Sequence, residues 1–505
     1  MDYKKMSQNT RTKNALLNII FGYIAQIGIF FLSFVGRRIF LNYLSADYLG
    51  VNGLYSNVLN ILSLAELGLD TAVVYSLYKP VAESDTDLIR SLLFYFRKIY
   101  FILAFIIFAI GVAIIPFLDV IVNSDLRKSD LIIYYVVFLA NTVASYFTAH
   151  KVALLSACQE QRIHKLITLV STLVLQIVYI CVLVITRSYF AYIISMFFVT
   201  IITNVILSIV CTKIHSDVFI GSTIISFDKN PIIERVKATF LYKIGAVLIN
   251  STDNILISVL VSTVAVGFYS NYYTVVNAVQ GFIAIITTSL ISGVGNYAVT
   301  KSRKGQKELF YFMLLFYQII ASIGFIGFSL LFNDLITIWL GNKYLFDELT
   351  VFIIAANFYL ATAISPVWMF REANGLFEKV KYLLLVRAGL NILFSIMFGK
   401  IWGVFGIFLA TAISLIFTNL WYEPQILFNN ILQEKTSSYW KKQGKYFVTM
   451  IFSFFICFLI VEHLGEGLIF LIIKAIIVAG ITGGIFIITN MKTEEFARIK
   501  NMLKR

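Results

Sequence analysis

Long apolar blocks, each of about 18 or more residues, follow one another along almost the whole chain and are separated by short polar connections. An apolar helix of about 20 residues crosses the roughly 30 Å hydrocarbon core of a bilayer. These blocks are apolar on every face, whereas the strands of a membrane barrel alternate apolar and polar residues over about ten positions. Because lipid offers no partner for backbone N–H and C=O groups, the pattern predicts membrane-spanning α-helices.

The pattern predicts about fourteen such spans. The connections between them leave no stretch long enough for a sizeable soluble domain. The spans are predicted at residues 16–44, 48–77, 99–118, 131–156, 166–186, 189–212, 238–261, 264–298, 308–332, 350–370, 382–399, 403–422, 446–461 and 467–490.

Composition supports a membrane protein. Of the 505 residues, 59% are hydrophobic and 13% are charged, whereas charged residues make up about a quarter of soluble proteins. The net charge of +14 comes from Lys and Arg residues that stand singly between the apolar blocks, mostly on alternate connections. This distribution follows the positive-inside rule and predicts that both termini are cytoplasmic. It does not form a basic stripe on a soluble face, so we expect no nucleic-acid partner.

An internal repeat divides the chain. Sliding the sequence by 217 positions aligns residues 27–60 with residues 244–277 without a gap. A shift of 216 positions pairs two charged inner loops, at residues 155–165 and 371–381. The nearly equal offsets predict two halves of six spans each. Because each half contains an even number of spans, the copies are parallel and related by an axis along the membrane normal.

The repeat predicts the organisation of the whole chain. The expected fold class is an all-α polytopic membrane protein with two parallel six-helix lobes and two further C-terminal helices. Lobes of this kind rock against each other around a central cavity. The expected segments are an N-terminal lobe at 1–212, a cytoplasmic linker at 213–237, a C-terminal lobe at 238–422, and a cytoplasmic loop, two helices and a basic tail at 423–505.

Two adjacent arginines interrupt the first span, in the sequence LSFVGRRIFLNYL. A charge near the middle of a span costs roughly 2.5–3.5 kcal/mol on insertion scales, so Arg37 and Arg38 need a partner or a wet cavity. The alternative is a first helix that ends early and lets both side chains reach the headgroups. Because the repeat aligns this stretch with the interior of the seventh span, we expect the helix to continue to about Leu44. Adjacent helical residues point about 100° apart, so only one arginine can face a cavity squarely.

The most hydrophilic patch within any span is NSTDNIL in the seventh span. A solvated helix end is one explanation, but apolar residues continue beyond the patch. We therefore expect Asp253, Asn250 and Asn254 to line the cavity. Asp253 would either form a salt bridge with Arg37 or Arg38 or act as a titratable site for ion coupling.

Other charged residues within the spans are second candidates. Glu66 and Asp70 lie four positions apart in AELGLD and would share one face of the second helix. They are candidates for ion coupling or for pairing with basic residues of the inner leaflet. Arg387 is a candidate inner cationic site, and Lys474 is expected to reach the headgroups by snorkelling.

Two tyrosines that the repeat pairs, Tyr55 and Tyr272, lie near the starts of the second and eighth spans. Anchoring at the membrane interface accounts for many tyrosines in such positions. Aromatic faces also suit contact with sugars. Both residues are therefore candidates for lining an outer vestibule.

The sequence contains no signature of catalysis. We find no nucleotide-binding loop, serine-hydrolase elbow or zinc-protease motif. The four cysteines and four histidines are too scattered to form a metal site. We therefore expect no enzymatic activity, no metal and no cofactor. Transport would depend on an ion gradient or on consumption of the substrate on the far side.

Several segments resemble the Wzx-type polysaccharide flippases of the multidrug/oligosaccharidyl-lipid/polysaccharide (MOP) exporter superfamily. The resemblance lies in LGVNGLYSNVLNILSLAELGLDTAVVYSLYKP, in TDNILIS followed by VGFYSNYY, in LITIWLGNKY and in GVFGIFLATAIS, and it extends over essentially the whole chain. It implies a V-shaped pair of six-helix lobes in the bacterial cytoplasmic membrane. The implied substrate is a polyprenyl-diphosphate-linked oligosaccharide, moved from the inner to the outer leaflet.

The resemblance also implies a site and partners. Arg37 and Arg38 occupy a region where relatives often carry cavity cations, and Asp253 fits the same wall. The implied partners are the lipid-linked oligosaccharide, membrane lipids, and the polysaccharide polymerase and chain-length machinery. Two alternatives remain open: a cation-coupled multidrug antiporter of the same superfamily, which could use Asp253, and a membrane-embedded glycan polymerase.

Overall fold

The structure, a computed structural model, describes residues 8–66, 69–221, 223–300 and 303–496. Across these residues the chain is helical and contains no β-strand. Ten helices in this part of the chain are long and apolar enough to cross a membrane. The predicted fold class, an all-α polytopic membrane protein, is confirmed. The total of fourteen spans stays a prediction.

The chain forms two compact units. The first unit contains the described residues of Met1–Val247 and Asn277–Ile285. The second contains those of Leu248–Val276 and Ile286–Arg505. The four segments expected from the repeat stay a prediction.

The first unit is a helical bundle. The helices that lie wholly within it are α1 (Gln8–Tyr43), α2 (Ala46–Leu62), α3 (Leu69–Glu83), α4 (Thr86–Ile114), α5 (Leu118–Ile121), α6 (Lys128–Tyr146), α7 (Ala149–Ala157), α8 (Gln161–Thr186), α9 (Tyr189–Ile214) and α10 (Ser216–Ile220). Helix α8 packs against α1 and α9, and α6 packs against α4 and α9.

The outer faces of this bundle are apolar. Ile185 on α8 is 80% exposed and Phe105 on α4 is 72% exposed. In water, each Å² of exposed apolar surface would forfeit roughly 25 cal/mol of stabilisation. A bilayer removes this penalty, because lipid tails are as apolar as these side chains. The outer faces of α4 and α8 therefore fit contact with lipid.

The second unit is built around α13. The remaining helices of the chain are α11 (Asn230–Leu260), α12 (Thr263–Thr300), α13 (Arg303–Trp339), α14 (Glu348–Ala363), α15 (Ser365–Ala373), α16 (Lys381–Phe417), α17 (Asn419–Leu427), α18 (Ser437–Val461) and α19 (Leu468–Asn490). Helix α13 packs against α14, α18 and α19. The last two helices are therefore part of this bundle.

An ion pair with a buried lysine fastens α19 to α13. Lys474 is only 6% exposed, and its ammonium lies 2.7 Å from the carboxylate of Asp334. The expectation that Lys474 snorkels to the headgroups is wrong. Pairing relieves the cost of a buried charge, and local sequence gave no sign of a partner 140 positions away.

The second predicted span, residues 48–77, is not one continuous helix. Helix α2 ends at Leu62, residues Ser63–Glu66 form a tighter 3₁₀ turn, and α3 begins at Leu69. The hydroxyl of Ser63 donates to the carbonyl of Leu59 at 2.9 Å, a side-chain bond that competes with regular helix geometry. Residues 67–68 and the side chain of Glu66 lie outside the described residues, so the prediction that Glu66 and Asp70 share a helix face stays a prediction.

Two glycines turn the chain between the predicted spans 382–399 and 403–422. Gly403 has φ +58° and ψ −134°, which interrupts the helical backbone of α16. Gly406 lies so close to Phe398 that a Cβ atom there would overlap the Phe398 carbonyl oxygen. The predicted break at this point is confirmed, and a residue without a side chain is required at Gly406.

Replacing Gly406 should destabilise the protein in a way that replacing another helical glycine does not. We expect Gly406→Ala to cost about 1–3 kcal/mol through overpacking against the backbone of Phe398. Gly444 on α18 is the matched control, because a Cβ there meets no atom within 4 Å. Gly444→Ala should be neutral or stabilising by about 0.5–1 kcal/mol. Thermal unfolding in detergent measures both, and equal midpoints for the two variants would contradict this description of the turn.

Candidate functional site

The two arginines of the first span lie on an unbroken helix. Helix α1 continues to Tyr43, so the alternative in which the helix ends before the arginines is wrong, and the expected end near Leu44 is confirmed. Arg37 is half-buried and Arg38 is exposed. The two side chains therefore leave the helix in different directions, as adjacent helical positions must.

Arg37 lies beside a group of aromatic side chains in the first unit, called here the aromatic cluster. Arg37 is within electrostatic range of Tyr192. Tyr192 stacks on Tyr179 with ring centroids 4.0 Å apart and meets the edge of Phe40 at 5.1 Å. Tyr48 and Tyr134 extend the cluster, each 4.7 Å from the ring of Tyr189. A cation is thus placed next to a wall of rings and phenolic hydroxyls.

Asp253 belongs to a hydrogen-bonded network between α11 and α16 in the second unit. The side-chain amide of Asn391 donates to the hydroxyl of Thr411 at 2.9 Å, and this hydroxyl donates to Oδ2 of Asp253 at 3.1 Å. The hydroxyl of Thr252 lies 3.4 Å from Oδ1 of Asn391. Asn391 itself is completely buried. The network fixes one oxygen of the Asp253 carboxylate inside the helical bundle.

Two side-chain oxygens at this network lack hydrogen-bond partners among the described residues. Oδ1 of Asp253 and Oδ1 of Asn254 are buried and have no hydrogen-bond partner among the described residues. Each such group costs about 1–3 kcal/mol, so a purely structural network would be expected to pair them. These unpaired oxygens make the Asp253 network a candidate functional site.

Arg387 interacts electrostatically with two carboxylates of the second unit. It is half-buried on α16 and within electrostatic range of Glu423 and Asp253. Its Nε atom is buried and has no hydrogen-bond partner in the described residues. The structure therefore associates Arg387 with Asp253, as members of one charged region.

A buried ion pair beside this region was not found from the sequence. Arg371 on α15 is 1% exposed and Glu423 on α17 is 2% exposed, and their charged groups lie 2.7 Å apart. Glu372 also pairs with Arg371 at 2.7 Å, and Asn419 donates a hydrogen bond to Glu423. The only local signal was the adjacent charges of Arg371 and Glu372, which had been assigned to a cytoplasmic loop.

The paired tyrosines of the repeat have equivalent positions in their two units. Tyr55 is fully buried, and its hydroxyl donates to the carbonyl of Leu131 at 3.0 Å. Tyr272 is also fully buried; its hydroxyl donates to Asn333 at 2.7 Å and accepts from the backbone N–H of Phe346 at 2.9 Å. In this conformation neither side chain presents surface to a substrate, and both hold a helix end to a neighbouring segment.

The remaining candidates are separate from these clusters. Asp70 is exposed on α3 and accepts a hydrogen bond from the hydroxyl of Tyr100 at 2.8 Å. The side chains of Glu66 and Asn250 lie outside the described residues. Roles for Glu66 and Asp70 in ion coupling, and for Asn250 in the cavity, stay predictions.

The arrangement defines a multi-pass helical membrane protein with charged clusters buried inside its bundles. No protein-family model matches the sequence, and no curated protein matches it at the level of sequence. Solved structures do match it in fold, and their identities are low throughout.

The chain is similar to the lipid II flippase MurJ in an inward closed conformation, with a TM-score of 0.69, 13% identity, and coverage of 94% of this chain and 99% of that chain. It is similar to an inward-facing multidrug-resistance MATE transporter of the MOP superfamily, with a TM-score of 0.60, 13% identity, and coverage of 81% and 96%. For a variant of the Vibrio cholerae MATE transporter VcmN the TM-score is 0.53 at 13% identity, with coverage of 83% and 99%. The chain therefore has the fold of MOP-superfamily transporters, and these similar structures are transporters and a flippase, not enzymes.

The Arg371–Glu423 pair gives a test of the second unit. Arg371→Met should destabilise the protein by about 3–5 kcal/mol, because Glu423 would remain buried without its cation. The double variant Arg371→Met, Glu423→Leu should recover much of that loss, since the buried carboxylate is removed with its cation, while Glu372 is 26% exposed and Arg387 keeps Asp253. Thermal unfolding of the purified protein in detergent measures both effects.

The matched control is an exposed ion pair on α3. Lys79 and Glu83 lie 3.8 Å apart with side chains 82% and 56% exposed, so Lys79→Met should change the free energy of unfolding by less than about 1 kcal/mol. A loss at Lys79 as large as the loss at Arg371 would show that burial of the Arg371 pair is not the cause.

Proposed function

We propose that this chain is a flippase that moves a polyprenyl-diphosphate-linked oligosaccharide from the inner to the outer leaflet of the bacterial cytoplasmic membrane by alternating access. Its termini would be cytoplasmic, and its product would supply the synthesis of a capsule-like or O-antigen-like polysaccharide. The polymerase and chain-length machinery that use such a product are the proposed protein partners. The observation that carries the proposal is the position of Arg37, half-buried beside the aromatic cluster on α1, the helix of the first predicted span.

The chemistry of Arg37 fits a lipid diphosphate. A guanidinium group binds phosphate oxygens through charge-assisted and often bidentate hydrogen bonds, and it is more weakly hydrated than an ammonium group. It therefore loses less on entering a poorly hydrated site. The rings and hydroxyls of Tyr192 and Tyr179 next to it present both apolar faces and hydrogen-bonding groups, which a sugar also does.

The extent of the structural likeness supports a flippase. The match to the lipid II flippase MurJ covers 94% of this chain, whereas the two MATE transporters described above cover 81% and 83%. Helices α18 and α19 pack against α13 and are fastened by the Lys474–Asp334 pair, so they belong to the architecture of the second unit. Because the match to MurJ extends over nearly the full length of this chain, it favours an architecture that includes α18 and α19.

Asp253 supports a second candidate function, a cation-coupled multidrug antiporter of the same superfamily. One oxygen of its carboxylate is fixed by Thr411 and the other is buried without a partner, as expected of a group that exchanges a proton or a metal cation during transport. A flippase driven by an ion gradient could use the same group. Asp253 therefore bears on coupling in both candidates and does not choose between them.

The phenotype of a deletion strain distinguishes the candidates. Loss of a flippase would leave the lipid-linked oligosaccharide on the cytoplasmic face. It would have the normal length of a single unit that has not been polymerised. Loss of a multidrug antiporter would instead raise drug sensitivity and leave surface glycan unchanged. A glycan polymerase, for which the chain has no catalytic signature, would leave unpolymerised units on the outer face.

Arg37 and Arg38 provide a matched pair of variants for the proposed function. Arg37→Ala should reduce surface glycan about 10- to 100-fold, because a hydrogen bond to a charged group contributes about 1.5–3 kcal/mol. Arg38→Ala should have a weaker effect, since the Arg38 side chain is exposed. Arg37→Lys should retain part of the activity, because it keeps the charge but loses the bidentate geometry.

Surface glycan and membrane abundance are measured together for each variant. Abundance should stay near the wild-type level, which separates loss of transport from loss of folded protein. Full glycan export by the Arg37→Ala, Arg38→Ala double variant would reject a role for either cation.

A further inference from the structure

A second cationic site lies in the first unit and includes neither Arg37 nor any residue of the Asp253 network. It is a cavity of about 530 Å³ bounded by α4, α7, α9, α10 and the segment that follows α10. Its basic lining residues are Arg90, Arg97, His150 and Lys151, and no acidic side chain lines it among the described residues. The cavity lies where the chain enters the linker predicted to be cytoplasmic, so we expect it at the level of the inner-leaflet headgroups.

Arg90 shapes the cavity. Its guanidinium donates to the carbonyls of Val218 at 2.8 Å and Asp217 at 3.0 Å, and it also pairs with the carboxylate of Asp87. The side chain packs so closely under Gly221 that a Cβ at position 221 would overlap it. Arg90 therefore holds the segment after α9 against α4 and has its charge balanced by Asp87.

Lys151 and His150 supply groups that a ligand can use. The ammonium of Lys151 donates to the hydroxyls of Ser208 at 2.6 Å and Thr212 at 2.9 Å, and it has no carboxylate partner among the described residues. His150 is only 6% exposed, and its Nδ1 atom is buried with no hydrogen-bond partner in the described chain. A charge without a counterion and a buried polar atom without a partner both favour an anion at this site.

The mouth of the cavity is apolar. Phe94, Phe101 and Phe147 line it and are 42%, 46% and 46% exposed. Arg97 is exposed next to them, with its guanidinium carbon 5.7 Å from the centre of the Phe101 ring. Cationic groups within and exposed aromatic rings at the edge match a ligand with an anionic head and an apolar body.

We propose that this cavity binds the phosphate headgroup of an anionic membrane lipid, with the phosphate near Lys151, His150 and Arg97 and the lipid tail along the phenylalanines of the mouth. Basic pockets between helices on the cytoplasmic side hold such headgroups by charge and by hydrogen bonds. A soluble phosphate compound carries the same anionic group but has no apolar tail to contact the phenylalanines at the mouth. The proposal does not depend on the flippase function, because it concerns binding and requires no transport.

The test uses the purified full-length protein, stripped of lipid in detergent. Native mass spectrometry counts the lipid bound when phosphatidylglycerol is added, with phosphatidylcholine and inorganic phosphate as separate arms. Phosphatidylglycerol should bind with at least about tenfold higher affinity than phosphatidylcholine, because the choline cation of phosphatidylcholine would enter a cavity whose described lining has basic side chains and no carboxylate. Inorganic phosphate at millimolar concentration should not displace it.

Variants locate the binding to this cavity. Arg97→Gln and Lys151→Gln should each weaken phosphatidylglycerol binding about tenfold, and Lys151→Arg should restore it. Lys98→Gln is the matched control, since Lys98 is an adjacent exposed cation that packs over Phe94 and does not line the cavity. The Arg97 side chain is exposed, so its variant should fold even if the Lys151→Gln variant does not.

Three results would overturn the proposal. Binding that is unchanged in Arg97→Gln, or weakened equally in Lys98→Gln, would place the lipid elsewhere. Equal binding of phosphatidylcholine would remove the role of headgroup charge. Displacement by inorganic phosphate would identify a site for soluble phosphate and not for lipid.

Discussion

The absence of water in the hydrocarbon core of a membrane is the constraint on which the rest of this structure depends. Every polar side chain on a span must be paired within the protein or lie where water or a substrate can reach it. Lys474 with Asp334 and Arg371 with Glu423 are paired within the protein and fasten helices of the second unit; both partners are buried in the Arg371 pair, whereas only the lysine is buried in the Lys474 pair. For Asp253 we propose the second arrangement, a position that water or a substrate can reach, because one of its oxygens is buried and unpaired in the described residues.

The two copies of the internal repeat share buried tyrosines but differ in the polar residues at other aligned positions. Tyr55 and Tyr272 are related by the repeat, and each is buried with its hydroxyl bound to the segment at the start of a later helix. Other aligned positions differ between the two copies. The first unit has Arg37 in the place where the second has the polar pair Asp253 and Asn254. We interpret the tyrosines as elements of the scaffold and the diverged positions as the elements of function.

The sequence predicted features that depend on the apolar pattern and on the repeat, such as helix positions. It did not predict contacts between residues that are far apart in the chain. It placed the end of α1 near Leu44, within a residue of its observed position, because the repeat supplied a second copy for comparison. It missed the partner of Arg371, because Glu423 is 52 positions away and no local pattern connects them. It also joined residues 48–77 into one continuous helix, since apolar residues continue on both sides of the 3₁₀ turn at Ser63–Glu66.

Accessibility of residues 37 and 253 to water tests the central claim most directly. In a chain lacking its four native cysteines, single cysteines at positions 37 and 253 would be exposed to a charged thiol reagent in membranes. Our account predicts that both react, and that the lipid-facing control Phe105→Cys, on the 72% exposed surface well inside α4, does not. Cysteines at 37 and 253 that stay inert under all transport conditions, like the control, would contradict it.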